Sequence, residues 1–339
     1  MSWQQVIFDL LIALVLVFVL ITGFAYMTFA ERRVVALMQV RIGPNRVGPF
    51  GLLQPLADGI KLLFKEDIVP TQADKPVFAL APMFSLFIAL VAFAVIPFTV
   101  AFSFTINGDH IVLAGALADL NIGVLYVFAA TSLAVYGIVL GGWASNNKYS
   151  LLGGIRSSAQ VISYELALGM SVVGVLEITG SLKLTDIISF QAHHIPNIFW
   201  QPLGFVIYCI AAIAEVNRAP FDLAEAEQEL VAGYHIEYSS FRFAMFFMAE
   251  YINMITVSAF ATTIFLGGPL GPFTIIWPWL SGLIWFLIKV VILLFIFIWL
   301  RATLPRVRYD RLMTLGWRWL IPLALLNILA TAVVVALTA

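Results

Sequence analysis

QVIFDLLIALVLVFVLITGFAYMTFA, residues 5–30, carries a single charged residue, Asp9, and ends against Glu31, Arg32 and Arg33. An apolar run of this length is enough to cross a bilayer, whose hydrocarbon core needs about 20 residues of helix. In lipid each backbone N–H and C=O must be satisfied within the segment, so the run must be helical. Comparable runs recur near residues 78–100, 122–143, 160–179, 201–215, 241–265, 278–300 and 319–337. The fifth is short, because it stops at Glu215. Short alternating segments of the barrel type are not seen. The expected fold is all-α: a polytopic integral membrane protein of about eight transmembrane helices, forming one helical membrane domain over residues 1–339. The first run lacks a basic leader and a small-residue cleavage site, so it reads as an anchor rather than a signal peptide. Composition agrees, with 11% charged residues against roughly 25% in soluble domains.

The sparse charge is unevenly placed. Between the first and second runs lie Arg32, Arg33, Arg41, Arg46, Lys61, Lys65 and Lys75. The third connection holds Lys148 and Arg156, the fifth Arg218 and Arg242, the seventh Arg301, Arg306, Arg308, Arg311 and Arg318. The even connections hold only Lys183, and Lys289 lies within a run. Basic loops stay on the cytoplasmic side. The odd loops are therefore expected to face the cytoplasm or matrix, with both termini on the periplasmic side. No internal repeat is evident, which weakens a carrier reading, since many carriers are built from two related halves.

The lone cysteine, Cys209, can build neither a disulfide nor a metal or iron–sulfur site by itself, and reads as a packing residue. The four histidines, His110, His193, His194 and His235, are expected in loops, away from any intramembrane haem. Neither a metal nor a nucleic-acid partner is expected.

The informative residues are ionisable groups at membrane depth, each costing at least about 2.5–3.5 kcal/mol to insert. Glu165 follows Ser163 and Tyr164 in the fourth run, Glu215 ends the fifth, Glu250 lies in the sixth and Lys289 in the seventh. Each alone could be an interhelical ion pair or hydrogen bond. The fifth loop adds Asp222, Glu225, Glu227 and Glu229. Asp222 has the spacing of an N-cap, and Glu225 and Glu229 then share a helical face. Crowded, poorly solvated carboxylates raise one another's proton affinity, as a proton relay requires. The plainer alternative is a solvated acidic loop. In the first loop, Leu53, Leu56, Ile60, Leu63 and Phe64 recur at helical spacing, with Asp58, Lys61 and Lys65 on other faces. That pattern predicts an amphipathic surface helix, either an interfacial anchor or an apolar doorway for a greasy ligand. The basic seventh loop reads either as topology alone or as a docking surface.

Several longer motifs carry a resemblance. Glu31-Arg32-Arg33, the run Gly43-Pro44-Asn45-Arg46-Val47-Gly48-Pro49 and Gly51 to Asp58 resemble the first loop of the quinone-site membrane subunit of respiratory complex I. Gly142 to Ser150 and Ile162-Ser163-Tyr164-Glu165 resemble its third loop and fourth span. Asn217 to Leu223, Glu229 to Gly233, Ala249-Glu250-Tyr251 and Arg301 to Arg306 match further segments in the same order. The resemblance covers residues 25–320.

It implies a membrane subunit of the proton-translocating NADH:quinone oxidoreductase, in a bacterial inner membrane or the mitochondrial equivalent. Glu31, Arg32, Arg41, Asp58, Arg218, Phe221 and Arg301 would line the quinone chamber. Glu165, Glu215, Asp222, Glu225, Glu227 and Glu250 would form the proton relay leading from it, with Glu229 and Glu237 as secondary candidates. The chain would hold no cofactor of its own. FMN and iron–sulfur clusters would reside in partners, which would include soluble quinone-site and iron–sulfur subunits, small membrane subunits and antiporter-like subunits. Ubiquinone or menaquinone would be the substrate, and membrane lipid the surroundings. The alternatives are the equivalent subunit of a membrane-bound hydrogenase and a self-sufficient ion carrier.

Overall fold

A computed structural model describes residues 3–106, 109–113, 115–222, 233–272 and 278–338. Seven helices are long and apolar enough to cross a membrane, and an eighth apolar helix is shorter. In chain order the elements are α1 (Trp3–Met38), α2 (Gln54–Phe64), α3 (Lys75–Ala92), a hairpin of β1 (Phe102–Ile106) and β2 (Asp109–Leu113), α4 (Gly123–Ala144) and α5 (Lys148–Thr179). Then follow α6 (Leu184–His193), α7 (Asn197–Trp200), α8 (Pro202–Glu215), α9 (Ser240–Phe265), α10 (Pro278–Thr303), α11 (Tyr309–Thr314), a π-helical segment (Leu315–Leu320) and α12 (Ile321–Thr338). The expected helical membrane fold is present, and its fifth span is the short one, α8.

Three boundaries differ from the sequence reading. The fourth run is not confined to 160–179: α5 begins at Lys148, so Lys148 and Arg156 belong to the helix and the preceding connection is brief. Asn147 starts it, its side chain accepting the Tyr149 N–H at 2.9 Å, as an N-cap does. Glycines then let α4 and α5 touch, since a Cβ on Gly142 would stand 3.3 Å from the Gly154 Cα. The second run is helical only to Ala92, followed by a short 3₁₀ turn, and Ile96 is extended. Pro97 explains this, because a proline disfavours helical backbone in the residue before it. His110 lies in β2 and His193 ends α6, so two of the four histidines are not in loops.

The bundle is organised around α9. It packs against α1, α3 and α10, and α5 packs against α4, α8 and α12. Tyr164, Tyr208, Phe260 and Phe265 are fully buried between these helices, with Tyr208 and Phe265 edge to face at 5.5 Å. Of the apolar stretch of α9, 72% is buried, against 11% in α1 and 17% in the last span. The poorly covered helices therefore present large apolar faces to their surroundings. The predicted surface helix is α2, in which no residue is buried and Leu56, Ile60, Leu63 and Phe64 are exposed. Polar ties fix both its ends. Arg32 bonds Asp58 at 2.7 Å, and the Ser240 hydroxyl donates to the Leu62 carbonyl at 2.9 Å.

Candidate functional site

Charge is gathered where α1, α9 and α10 meet the segment after α8. Glu31 ends the apolar part of α1 and is buried. Its carboxylate accepts the Tyr251 hydroxyl at 2.6 Å and is paired with the Arg301 guanidinium. The Arg218 guanidinium lies 3.8 Å from the same carboxylate. It also pairs with Glu250 at 2.5 Å and lies 4.1 Å from the centre of the Tyr251 ring. Two carboxylates and two guanidiniums thus balance around one tyrosine. Such pairing is obligatory, because an isolated buried ion costs several kcal/mol.

Glu250 also faces a polar cavity of about 50 Å³, lined in addition by Ser85, Thr131, Glu215, Asn217 and Asn253. On the size needed to hold a water, that is room for a few. Buried oxygens of Ser85, Glu215, Asn217 and Asn253 have no protein hydrogen-bond partner among the described residues. Glu215 and Thr131 border a second, smaller cavity as well, with Tyr208 and Thr256. Next to Thr131 on α4, the Ser132 hydroxyl donates to Glu165 on α5. The described carboxylates therefore follow one polar track through the bundle: Glu165 at Ser132, then Glu215, the cavity, Glu250, Arg218 and Glu31. Hydroxyls, amides and water-sized spaces at such spacing suit proton transfer between acids.

A family model described as NADH dehydrogenase matches residues 11–332. The chain belongs to that family. Among similar chains, an NADH-quinone oxidoreductase subunit of Thermomicrobium roseum is 56% identical over 98% of both chains. An NADH-quinone oxidoreductase subunit of Geobacter sulfurreducens is 53% identical over 96% of this chain and 94% of its own. Its counterpart of the same name in Rickettsia rickettsii is 54% identical over 94% and 91%.

The residues predicted for the site of this family member separate into groups. Glu31, Arg218 and Arg301 meet in the ion cluster. Arg32 and Asp58 pair with each other on the α2 side. Burial alone would push the Asp58 carboxyl up, but the hydrogen bonds from Arg32, Lys61 and Gln54 outweigh it and hold the group below its usual range. Phe221 is buried against Tyr164, ring centres 6.0 Å apart. Arg41 stands apart, exposed and bonded to Gln39. Asp222 pairs with Arg306 at 2.9 Å rather than with the carboxylate track. Glu225, Glu227 and Glu229, with the helix start expected after Asp222, lie outside the described residues. Glu237 bonds Asn147 at 2.6 Å.

Sequence reasoning passed over Tyr251, the centre of the cluster. Its signal was its position directly after Glu250: consecutive helical residues point about 100° apart, and the Arg218 guanidinium reaches both. Thr131, Ser132, Asn217 and Asn253 gave a weaker signal, as small polar residues within or next to apolar runs. Lys289 resolves differently. Its ammonium donates to the Leu266, Gly268 and Leu270 carbonyls at 2.6, 2.9 and 2.6 Å, closing the end of α9. Among the described residues no group of three or more His, Cys, Asp and Glu is gathered as a metal centre would require.

Proposed function

We propose that this chain is the membrane subunit of a proton-translocating NADH:quinone oxidoreductase that forms much of the quinone chamber and passes the effect of quinone reduction to buried carboxylates. The observation that carries this is the continuity between the Glu31–Arg301 and Arg218–Glu250 pairs and the polar cavity at Glu215. The names of the similar chains support the enzyme class. A quinone headgroup needs polar groups at the end of an apolar access route, and α2 with its exposed apolar face stands beside Glu31 and Arg32. The tail would lie among the apolar faces of α1, α2 and α9. Arg218 and Arg301 would feel the headgroup's change in charge, and the acids paired with them would answer by shifting protons toward Glu215 and Glu165. Asp222, Glu225 and Glu227 would extend this path.

The chain supplies binding, orientation and proton handling. FMN and iron–sulfur clusters in partner subunits would deliver electrons from NADH, and antiporter-like membrane subunits would receive the coupling signal. The basic odd loops support an orientation in which they face the cytoplasm and both termini the periplasm of a bacterial inner membrane.

The test is purification of the tagged chain in mild detergent from its native membrane, followed by NADH–quinone and NADH–soluble-acceptor assays on wild type and Glu165→Gln. Co-purifying flavin and iron–sulfur subunits, with quinone turnover lost and acceptor turnover kept in the variant, is the expected result. Full quinone turnover and pumping in the variant would remove Glu165 from the relay. A hydrogenase module as the co-purifying partner would move the chain to the other enzyme class.

A further inference from the structure

The last span is not a uniform helix. Residues Leu315–Leu320 are π-helical, and the Ile321 N–H bonds the Gly316 carbonyl, five residues back. A π turn uses one residue more than an α turn. On a regular helix of 3.6 residues per turn, Trp319 would sit roughly 80° around the axis from Arg311. The extra residue brings it to within roughly 20°. The result is a groove of 260 Å³ lined by Asp310, Arg311, Thr314, Leu315 and Trp319. Its two ends differ in chemistry. Arg311 lies at the start of the span and makes no ion pair among the described residues, whereas Asp310 is paired with Arg308 at 3.3 Å. Trp319 lies two turns further in and is 62% exposed. Arginine offers a planar fork of donors suited to phosphate oxygens. Tryptophan settles at the depth of lipid headgroups, where one edge is wet and its body apolar.

We propose that this groove is a binding site for the headgroup of an anionic phospholipid. Arg311 would hold the phosphodiester, Thr314 would donate to one of its oxygens, and Leu315 and Trp319 would flank the glycerol and the first carbons of the acyl chains. The π segment builds the site by placing arginine and indole on one face. A phosphate ester free in solution shares the charge but not the acyl chains, and would gain nothing from Leu315 and Trp319.

The test uses the whole complex carrying this chain, stripped of loosely held lipid and titrated with phosphatidylglycerol, with phosphatidylcholine and inorganic phosphate as comparison probes. Native mass spectrometry counts the lipid retained. Arg311→Gln is expected to lose one phosphatidylglycerol relative to wild type, and Trp319→Leu to weaken its retention. Arg311→Lys, which keeps the charge, should retain it and serves if the glutamine variant fails to assemble. Arg46→Gln, a matched loss of charge elsewhere, should leave the count unchanged. Unchanged retention in both Arg311→Gln and Trp319→Leu would overturn the proposal. So would equal retention of phosphatidylcholine, displacement by inorganic phosphate, or crosslinking of residue 311 to another protein in place of lipid.

Discussion

Helix α9 carries buried polar networks at two levels that solve the same problem in opposite ways. In its first half, Glu250 and Tyr251 join Glu31, Arg218 and Arg301, so polarity is carried by full charges beside a water-sized cavity. At its far end the carbonyls of the last turn and the following loop are closed by side chains from three other elements. Gln191 donates to Thr263 and Ile264 at 3.0 and 3.2 Å, Asn197 to Ile264 at 2.9 Å, and Lys289 to the three carbonyls beyond. Those donors meet backbone acceptors that have no other partner once the helix ends. Nothing in that end can exchange a proton without breaking the cap. The ionic end is balanced between alternatives, since one carboxylate shares two guanidiniums and one guanidinium shares two carboxylates. A bilayer tolerates both arrangements, and only the ionic one is suited to responding to a ligand's charge.

Substitutions should separate the two ends. Arg218→Met should have the largest effect, because it leaves Glu250 and part of Glu31 buried without compensation, at a cost of about 3–5 kcal/mol. The expected readout is sharply reduced yield of assembled complex. The double variant Arg218→Met, Glu250→Met should recover assembly but not quinone turnover. Recovery of both would make the pair purely structural.

Acid should act on the ionic half next. His235 is buried among Tyr234, Phe243 and Phe247, and burial lowers its imidazole to about 4. The unfolded chain, titrating near 6.5, binds the proton first, so stability is full above about 6.5 and falls as pH drops toward 4. The loss approaches about 3 kcal/mol. Thermal unfolding followed against pH should show this, and His235→Gln should flatten that window. An unchanged profile would place His235 in contact with water.

Tyr251→Phe removes a hydrogen bond to a charged group, about 1.5–3 kcal/mol. Assembly should persist while kcat for quinone falls, with soluble-acceptor turnover intact. Lys289→Met should produce the contrasting pattern, a loss of about 1–3 kcal/mol from unsatisfied carbonyls. Its melting temperature should fall while turnover per assembled complex stays at the wild-type level. If instead Lys289→Met lowers turnover and leaves the melting temperature alone, the contrast between the two ends collapses.

The fold was readable from the chain because hydrophobic length is a local property. Residues 5–30 and the seven later runs announce helices wherever a bilayer is the solvent, and Leu56, Ile60 and Leu63 announce the surface helix by their spacing. Helix ends were less legible, since Asn147 and Pro97 act through caps and backbone sterics that hydropathy ignores. The candidate site was half legible. Glu31, Arg218, Arg301 and Glu250 stand out as charges that lipid would reject, whereas Tyr251, Ser132 and Asn253 look ordinary until a carboxylate or cavity lies beside them.

The sequence alone determined that the chain crosses a membrane repeatedly, that its basic loops alternate, and that several acids must find partners inside protein. Each of these follows from the energy of one residue in lipid, or from neighbours within one helix. Only the tertiary structure decided which partner each charge takes. It joined Glu31 to Tyr251 across 220 positions and turned Lys289 from a relay candidate into a helix cap. It also put Asp222 on Arg306 and aligned Arg311 with Trp319 through a π turn. Those outcomes depend on which helix faces meet, and that is fixed by packing over the whole bundle rather than by any local run of residues.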